Sequence, residues 1–147
     1  MKNTFKTLGI IALAAIIGFS FIACDSNGGD GNDGLPATDG KVTITGLGSY
    51  TGKYVYATGS LGATILSAGG SNGGAAQISG SSVELKIWTY DTSSGAVSNF
   101  SGSGSGGLAI YILNSANIQT EIANPHAQSS AFVTFSGGNG GSVAFSQ

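Results

Sequence analysis

The chain has 147 residues, 26 of them glycine, with only 8% charged and 41% hydrophobic residues; it can form one domain with a real core, and global disorder is excluded. There is no arginine, and from Cys24 onward three lysines (Lys41, Lys53 and Lys86) stand against seven acids, a net charge of −4. Nucleic-acid binding needs clustered cations to displace counterions from phosphates, so three scattered lysines exclude that class of partner.

Taken in chain order, Lys2 and Lys6 flank a short basic start, and Leu8 to Ala23 then runs unbroken as LGIIALAAIIGFSFIA. About 20 apolar residues are needed to span a bilayer core, so this shorter stretch with basic flanks reads as the hydrophobic part of a signal peptide. It ends in Phe21-Ile22-Ala23-Cys24, and Cys24 is the sole cysteine of the chain. No intramolecular disulfide or cysteine-based metal cluster can therefore form. The four residues resemble the lipobox of bacterial lipoproteins, with Phe21 in place of the usual Leu, a relaxed form found in spirochaetes. That resemblance implies diacylglycerol transfer to the Cys24 thiol, cleavage before it and acylation of the new amine. Each buried CH₂ adds about 0.8 kcal/mol of membrane affinity, so two or more acyl chains anchor stably where one does not.

Residues 25–40, DSNGGDGNDGLPATDG, carry four Asp and almost no apolar surface. Such a stretch cannot offset its ordering entropy and predicts a flexible acidic tether reaching roughly 20 to 25 Å. Within it, Gly28 to Leu35 matches the calcium-binding nonapeptide of repeat toxins, but one copy lacks the neighbouring turn that completes each ion site.

From Lys41 onward, β-branched and aromatic runs are punctuated every 8 to 15 residues by Gly, Ser and Asn clusters. Strands are predicted at 41–45, 53–57, 63–67, 76–79, 83–90, 108–113, 131–136 and 142–146, the last two as a hairpin. Only 114–128 lacks strand character, and a helical turn is expected around Ser115 to Ile122, before Pro125. Seven or eight short strands with no helix pattern between them predict an all-β fold, an antiparallel Ig-like β-sandwich, with an open barrel as the alternative. The expected core is Val42, Ile44, Val55, Ile65, Val83, Leu85, Ile87, Leu108, Ile110, Ile112, Val133, Phe135, Val143 and Phe145, with Phe132 competing for the inside of the last hairpin. The domain organisation is thus a lipoprotein signal peptide over 1–23, a Gly/Asp-rich tether over 24–40 and a β-sandwich over 41–147.

Thr43-Ile-Thr-Gly-Leu-Gly-Ser-Tyr-Thr-Gly-Lys-Tyr54, Ile78-Ser-Gly-Ser-Ser-Val83 and Phe132-Val-Thr-Phe-Ser136 resemble segments of a small domain of Treponema-type lipoproteins. The resemblance implies an envelope location and a small β domain, and it brings no catalytic residues with it.

Motifs of chemistry are weak. Gly69-Gly70-Ser71-Asn72-Gly73 fits G-x-S-x-G, but the nucleophile elbow needs a helix after the turn, and Gly80 interrupts the segment that follows. Gly102, Gly104 and Gly107 fit G-x-G-x-x-G ahead of a strand, with no helix N-terminus to receive a pyrophosphate. His126, the only histidine, has no nucleophile or carboxylate placed by spacing to work with and reads as a solvated loop residue. No enzyme activity, cofactor or metal is expected. The aromatics say more, because alternation along 83–90 puts Trp88 and Tyr90 on the face opposite Leu85 and Ile87, and Tyr54 and Tyr56 alternate against Val55. Trp88, Tyr90, Tyr54 and Tyr56 are the candidate ligand-binding residues, for stacking on a glycan or gripping a protein partner. Against that stands a purely structural role, in which a loop covers Trp88 or the rings pair across strands. The expected function is a lipid-anchored, non-enzymatic envelope protein with an adhesive or structural role, at the outer membrane or cell surface; the alternative is a glycan-binding module.

Overall fold

The computed structural model describes residues 35–147, so Cys24, the expected signal peptide over 1–23 and the calcium-motif match up to Gly34 lie outside the described residues. Nine strands form in chain order: β1 (Lys41–Thr45), β2 (Tyr54–Leu61), β3 (Thr64–Gly69), β4 (Ala76–Gln77), β5 (Ser82–Tyr90), β6 (Val97–Asn99), β7 (Gly104–Leu113), β8 (Ala127–Phe135) and β9 (Asn139–Ala144). A single helical turn, α1 (Ile118–Glu121), lies within the segment where it was expected, and a 3-10 turn at Gly48–Tyr50 joins β1 to β2. The protein is all-β, as the alternation and turn spacing predict.

The architecture differs from the antiparallel sandwich. All nine strands belong to one sheet with the path β8-β7-β2-β3-β5-β1-β9; β4 adds to β2 beyond β3, and β6 adds to β5 beyond β1. Every pairing is antiparallel except β1 with β9, which is parallel. The two ends of the path, β8 and β9, are joined by a two-residue turn and meet again where the Ser146 amide donates to Ser129 Oγ at 3.2 Å. The sheet therefore curls nearly into a barrel, closer to the alternative expectation of an open barrel.

The last hairpin also departs from its prediction. Gly137 (φ 56) and Gly138 (φ 83) make the left-handed pair that a type I′ turn needs, with reciprocal bonds between Ser136 and Asn139. Beyond that closing pair the ladder does not continue, because β9 leaves β8 to run beside β1. A register shift in β9 between the partners of Lys41 and Thr43 helps it change direction.

The core fills the inside of the curl. Val42 and Ile44 of β1, Val55 and Ala57 of β2, Leu85 and Ile87 of β5, Leu108, Ile110 and Ile112 of β7, and Val133 and Phe135 of β8 are buried there with Phe145. Each large aliphatic side chain removed from water in this way contributes about 1.5–3 kcal/mol. Phe132 points outward and is 76% exposed, which settles the competition within β8.

Strand β3 corrects the expected core. Leu66 and Ala68 face inward, and Ile65 is only half-buried. The cause is register: a two-residue turn at Gly62 and Ala63 sets Leu61 opposite Thr64, which places Ala68 beside the inward Ala57. With period-two alternation, inward Ala68 requires inward Leu66. Val83 and Val143 are likewise half-buried, as the cross-strand neighbours of Ile44 on its two sides.

Glycine lets β7 begin earlier than its apolar run. A Cβ on Gly106 would collide with the Ser60 carbonyl, and one on Gly59 with the Gly107 carbonyl, so β2 and β7 approach backbone to backbone there. Only side-chain-free positions allow that approach.

Candidate functional site on the outer aromatic face

Alternation puts a row of polar and aromatic residues on the outside of the curl. Tyr111 of β7 lies opposite Tyr56 of β2, and Ser67 of β3 lies opposite both Thr58 and Trp88. Trp88 in turn faces Asn99 of β6. The outward placement of Trp88, Tyr90, Tyr54 and Tyr56 is thus as alternation predicts.

Their accessibility is another matter. Trp88 is 3% exposed and Tyr56 is fully buried, while Tyr54 and Tyr90 are half-buried. The four rings do not form one open platform, and two separate coverings account for this.

The first covering is the chain itself. Residues 35–40, assigned by composition to the tether, lie on the barrel as a strap. The Trp88 indole donates from Nε1 to the Pro36 carbonyl at 2.8 Å, which satisfies the one polar group of a buried tryptophan. Thr38 ties the strap down: its hydroxyl donates to the Ile87 carbonyl at 2.6 Å, with the Phe100 carbonyl at 3.2 Å. The same oxygen accepts from the Gly40 and Phe100 amides, each at 3.0 Å. The Ile87 amide then donates to the Gly40 carbonyl, so the strap merges into the lane that β1 occupies beside β5.

The second covering is α1. Tyr56, Tyr111, Ala109, Leu113 and Ile122 form a small hydrophobic cluster outside the sheet, with Tyr54, Ala75 and Ile118 packed against it. Ile118 and Ile122, one turn apart, supply the apolar side of α1. Asn117 caps the helix by accepting from the Thr120 amide at 3.4 Å. The Glu121 carboxylate accepts from the Asn114 amide at 3.1 Å and the Ser115 hydroxyl at 3.3 Å, and Lys53 donates to Asn114 Oδ1 at 2.9 Å. These bonds fold the segment after β7 back over the tyrosines.

Beneath α1, the Tyr56 hydroxyl and Ser67 Oγ are hydrogen-bonded to each other. Burial pushes the Tyr56 phenol up to about 12, against a smaller opposing pull from the Ser67 hydrogen bond. Burial also raises Tyr111. Both phenols stay neutral at physiological pH.

The residues of the weaker motifs are dispersed. Ser71 is exposed in the loop between β3 and β4, where the Gly70 amide donates to the Gly74 carbonyl at 2.7 Å. A strand follows that loop, so the strand–turn–helix frame of a nucleophile elbow is not formed. Gly104 and Gly107 lie inside β7, with Gly102 just before it. His126 is exposed before β8, its ring edge-on to Tyr50 at 6.0 Å. Three carboxylates are engaged elsewhere: Glu84 pairs with Lys41 and Lys86 at 3.6 Å each, Glu121 holds the α1 segment, and Asp91 binds its own loop. Asp91 accepts from the Ser93 hydroxyl and amide and from the Ser94 hydroxyl, and these bonds hold its carboxyl down to about 2. No group of three or more His, Cys, Asp or Glu converges among the described residues.

Sequence reasoning missed the strap and the outer cluster. A signal for the strap was present, since Leu35, Pro36 and Thr38 interrupt the Gly/Asp pattern just before β1. Compared with protein-family models, curated proteins and solved structures, the chain has no match, so its role is read from its own residues.

Proposed function

We propose that this protein is a lipid-anchored envelope protein, a small β domain tied to a membrane through Cys24 and acting there without enzymatic chemistry, in an adhesive or structural role. The observation that carries the reading is the 16-residue apolar segment from Leu8 to Ala23, which ends in a lipobox-like Phe21-Ile22-Ala23 before the sole cysteine. The strap supports it: the barrel begins at about Leu35, leaving a short Gly- and Asp-rich stretch between Cys24 and the folded domain. The preferred location is the outer membrane or cell surface, as the resemblance to Treponema-type lipoproteins suggests. Stacking on a glycan is the weaker reading, because Trp88 and Tyr56 are buried within the protein and Tyr54 and Tyr90 are only half-exposed.

The test is direct. In cells expressing the full chain, Cys24→Ser is expected to abolish incorporation of labelled palmitate and move the protein out of the membrane fraction. A Cys24→Ser protein that still fractionates with membranes and carries label would overturn the assignment.

A further inference from the structure

We propose that the barrel stands with its glycine-rich end toward the lipid headgroups and holds the opposite end, bearing α1, His126 and Lys53, away from the membrane. This rests on the lipid anchor at Cys24 and adds an orientation to it.

The two ends are defined by strand direction. β1 and β9 start, and β5 and β8 finish, at the end that carries the Gly137–Gly138 turn and the Asp91–Gly95 loop. β2 and β8 start, and β7 finishes, at the other end, where the 3-10 turn, α1 and His126 lie. The strap joins the barrel near the first end. Its Gly40 is beside Phe100, and the Lys41 amide donates to the Gly138 carbonyl at 2.9 Å. Because Thr38 and Pro36 bind β5 at Ile87 and Trp88, the anchoring chain cannot leave from the helix end without dismantling these bonds.

Length makes this placement consequential. The 11 residues from Cys24 to Gly34 span at most about 36–40 Å when fully extended. Strand from Trp88 back to Ser82 covers about 20 Å, and the loops of the helix end lie beyond it. Turning the helix end to the bilayer would therefore consume most of the available chain, whereas the glycine-rich end reaches the headgroups with chain to spare.

Charge indicates how that end meets the lipid. Its exposed loops carry the acids Asp39 and Asp91, and the nearest cations, Lys41 and Lys86, share Glu84. An end of this kind is not drawn onto anionic headgroups, so the covalent anchor alone holds it there.

The experiment uses the full lipidated protein in phosphatidylcholine vesicles containing a headgroup-linked quencher. Cys24 is blocked by lipid, so a dye is attached at a single introduced thiol, Ala96→Cys at the glycine-rich end or Gln119→Cys at the helix end, both exposed positions. Matching melting temperatures first establish that both variants are folded. Quenching at least twofold stronger for Ala96→Cys is the expected result; equal or reversed quenching overturns the orientation while leaving the lipoprotein reading intact. Absence of palmitate from Cys24 defeats that reading itself, and the orientation with it. In parallel, unlipidated protein spanning residues 24–147 with Cys24→Ser, which lacks the apolar Leu8–Ala23 segment, should not co-sediment with phosphatidylglycerol vesicles; co-sedimentation overturns the claim that the anchor alone holds this end.

Discussion

Trp88 illustrates how much a single residue's role depends on a distant partner. Its outward phase was legible from the alternation of Val83, Leu85 and Ile87, but its burial was not, because the carbonyl its indole binds belongs to Pro36, 52 residues earlier. Truncating a buried Trp costs roughly 3–5 kcal/mol through lost contacts and a residual cavity. Trp88→Ala should therefore lower the denaturant midpoint steeply, whereas an exposed ligand platform would leave it unchanged. Tyr56 gives a pH signature. Its folded phenol titrates near 12, above the ordinary tyrosine value of 10.0. The raised value means its contribution is complete below pH 10 and declines as pH rises toward 12, by about 1.4 kcal/mol per pH unit within that window. Alkaline unfolding curves of the wild type and of Tyr56→Phe should differ in slope there, the variant lacking this component.

Among the elements, those with strict alternation were readable and those rich in glycine were not. β1 and β5 lie almost where their patterns place them, since each has one apolar and one polar face. β3 offered two adjacent apolar residues, Ile65 and Leu66, and only the pairing imposed by the Gly62 turn decides between them. The opening of β7, Gly104 to Gly107, resembles a loop in composition yet is strand, because its backbone packs against that of β2. This distinction predicts opposite outcomes for neighbouring residues. Gly106→Ala drives a Cβ into the Ser60 carbonyl and should destabilise the fold by more than about 2 kcal/mol. Gly107→Ala meets nothing within 4 Å and should stay within about 0.5 kcal/mol of wild type. Thermal melts of the two variants, measured side by side, provide the check.

For the whole molecule, the folded unit starts before its first strand. A chain starting at Leu35 keeps the Pro36 and Thr38 bonds and should melt with the longer protein, while one starting at Lys41 loses them, uncovers Trp88 and should melt several degrees lower. The all-β class and the position of α1 were legible in turn spacing and alternation, but the curl of the sheet entered only as the alternative of an open barrel, because it depends on pairing between strands far apart in sequence. The parallel contact of β1 with β9 joins Thr43 to Ser142 and Ile44 to Val143, nearly the full length of the domain. Such contacts are slow to form, since the intervening chain must be gathered before they add stability. One edge of β1 pairs with β5, but the other stays open until β9 is made, so the sheet cannot be completed while the final residues are still unmade. Under the proposed export route this delay keeps the chain threadable, and the domain locks only once it is wholly on the far side.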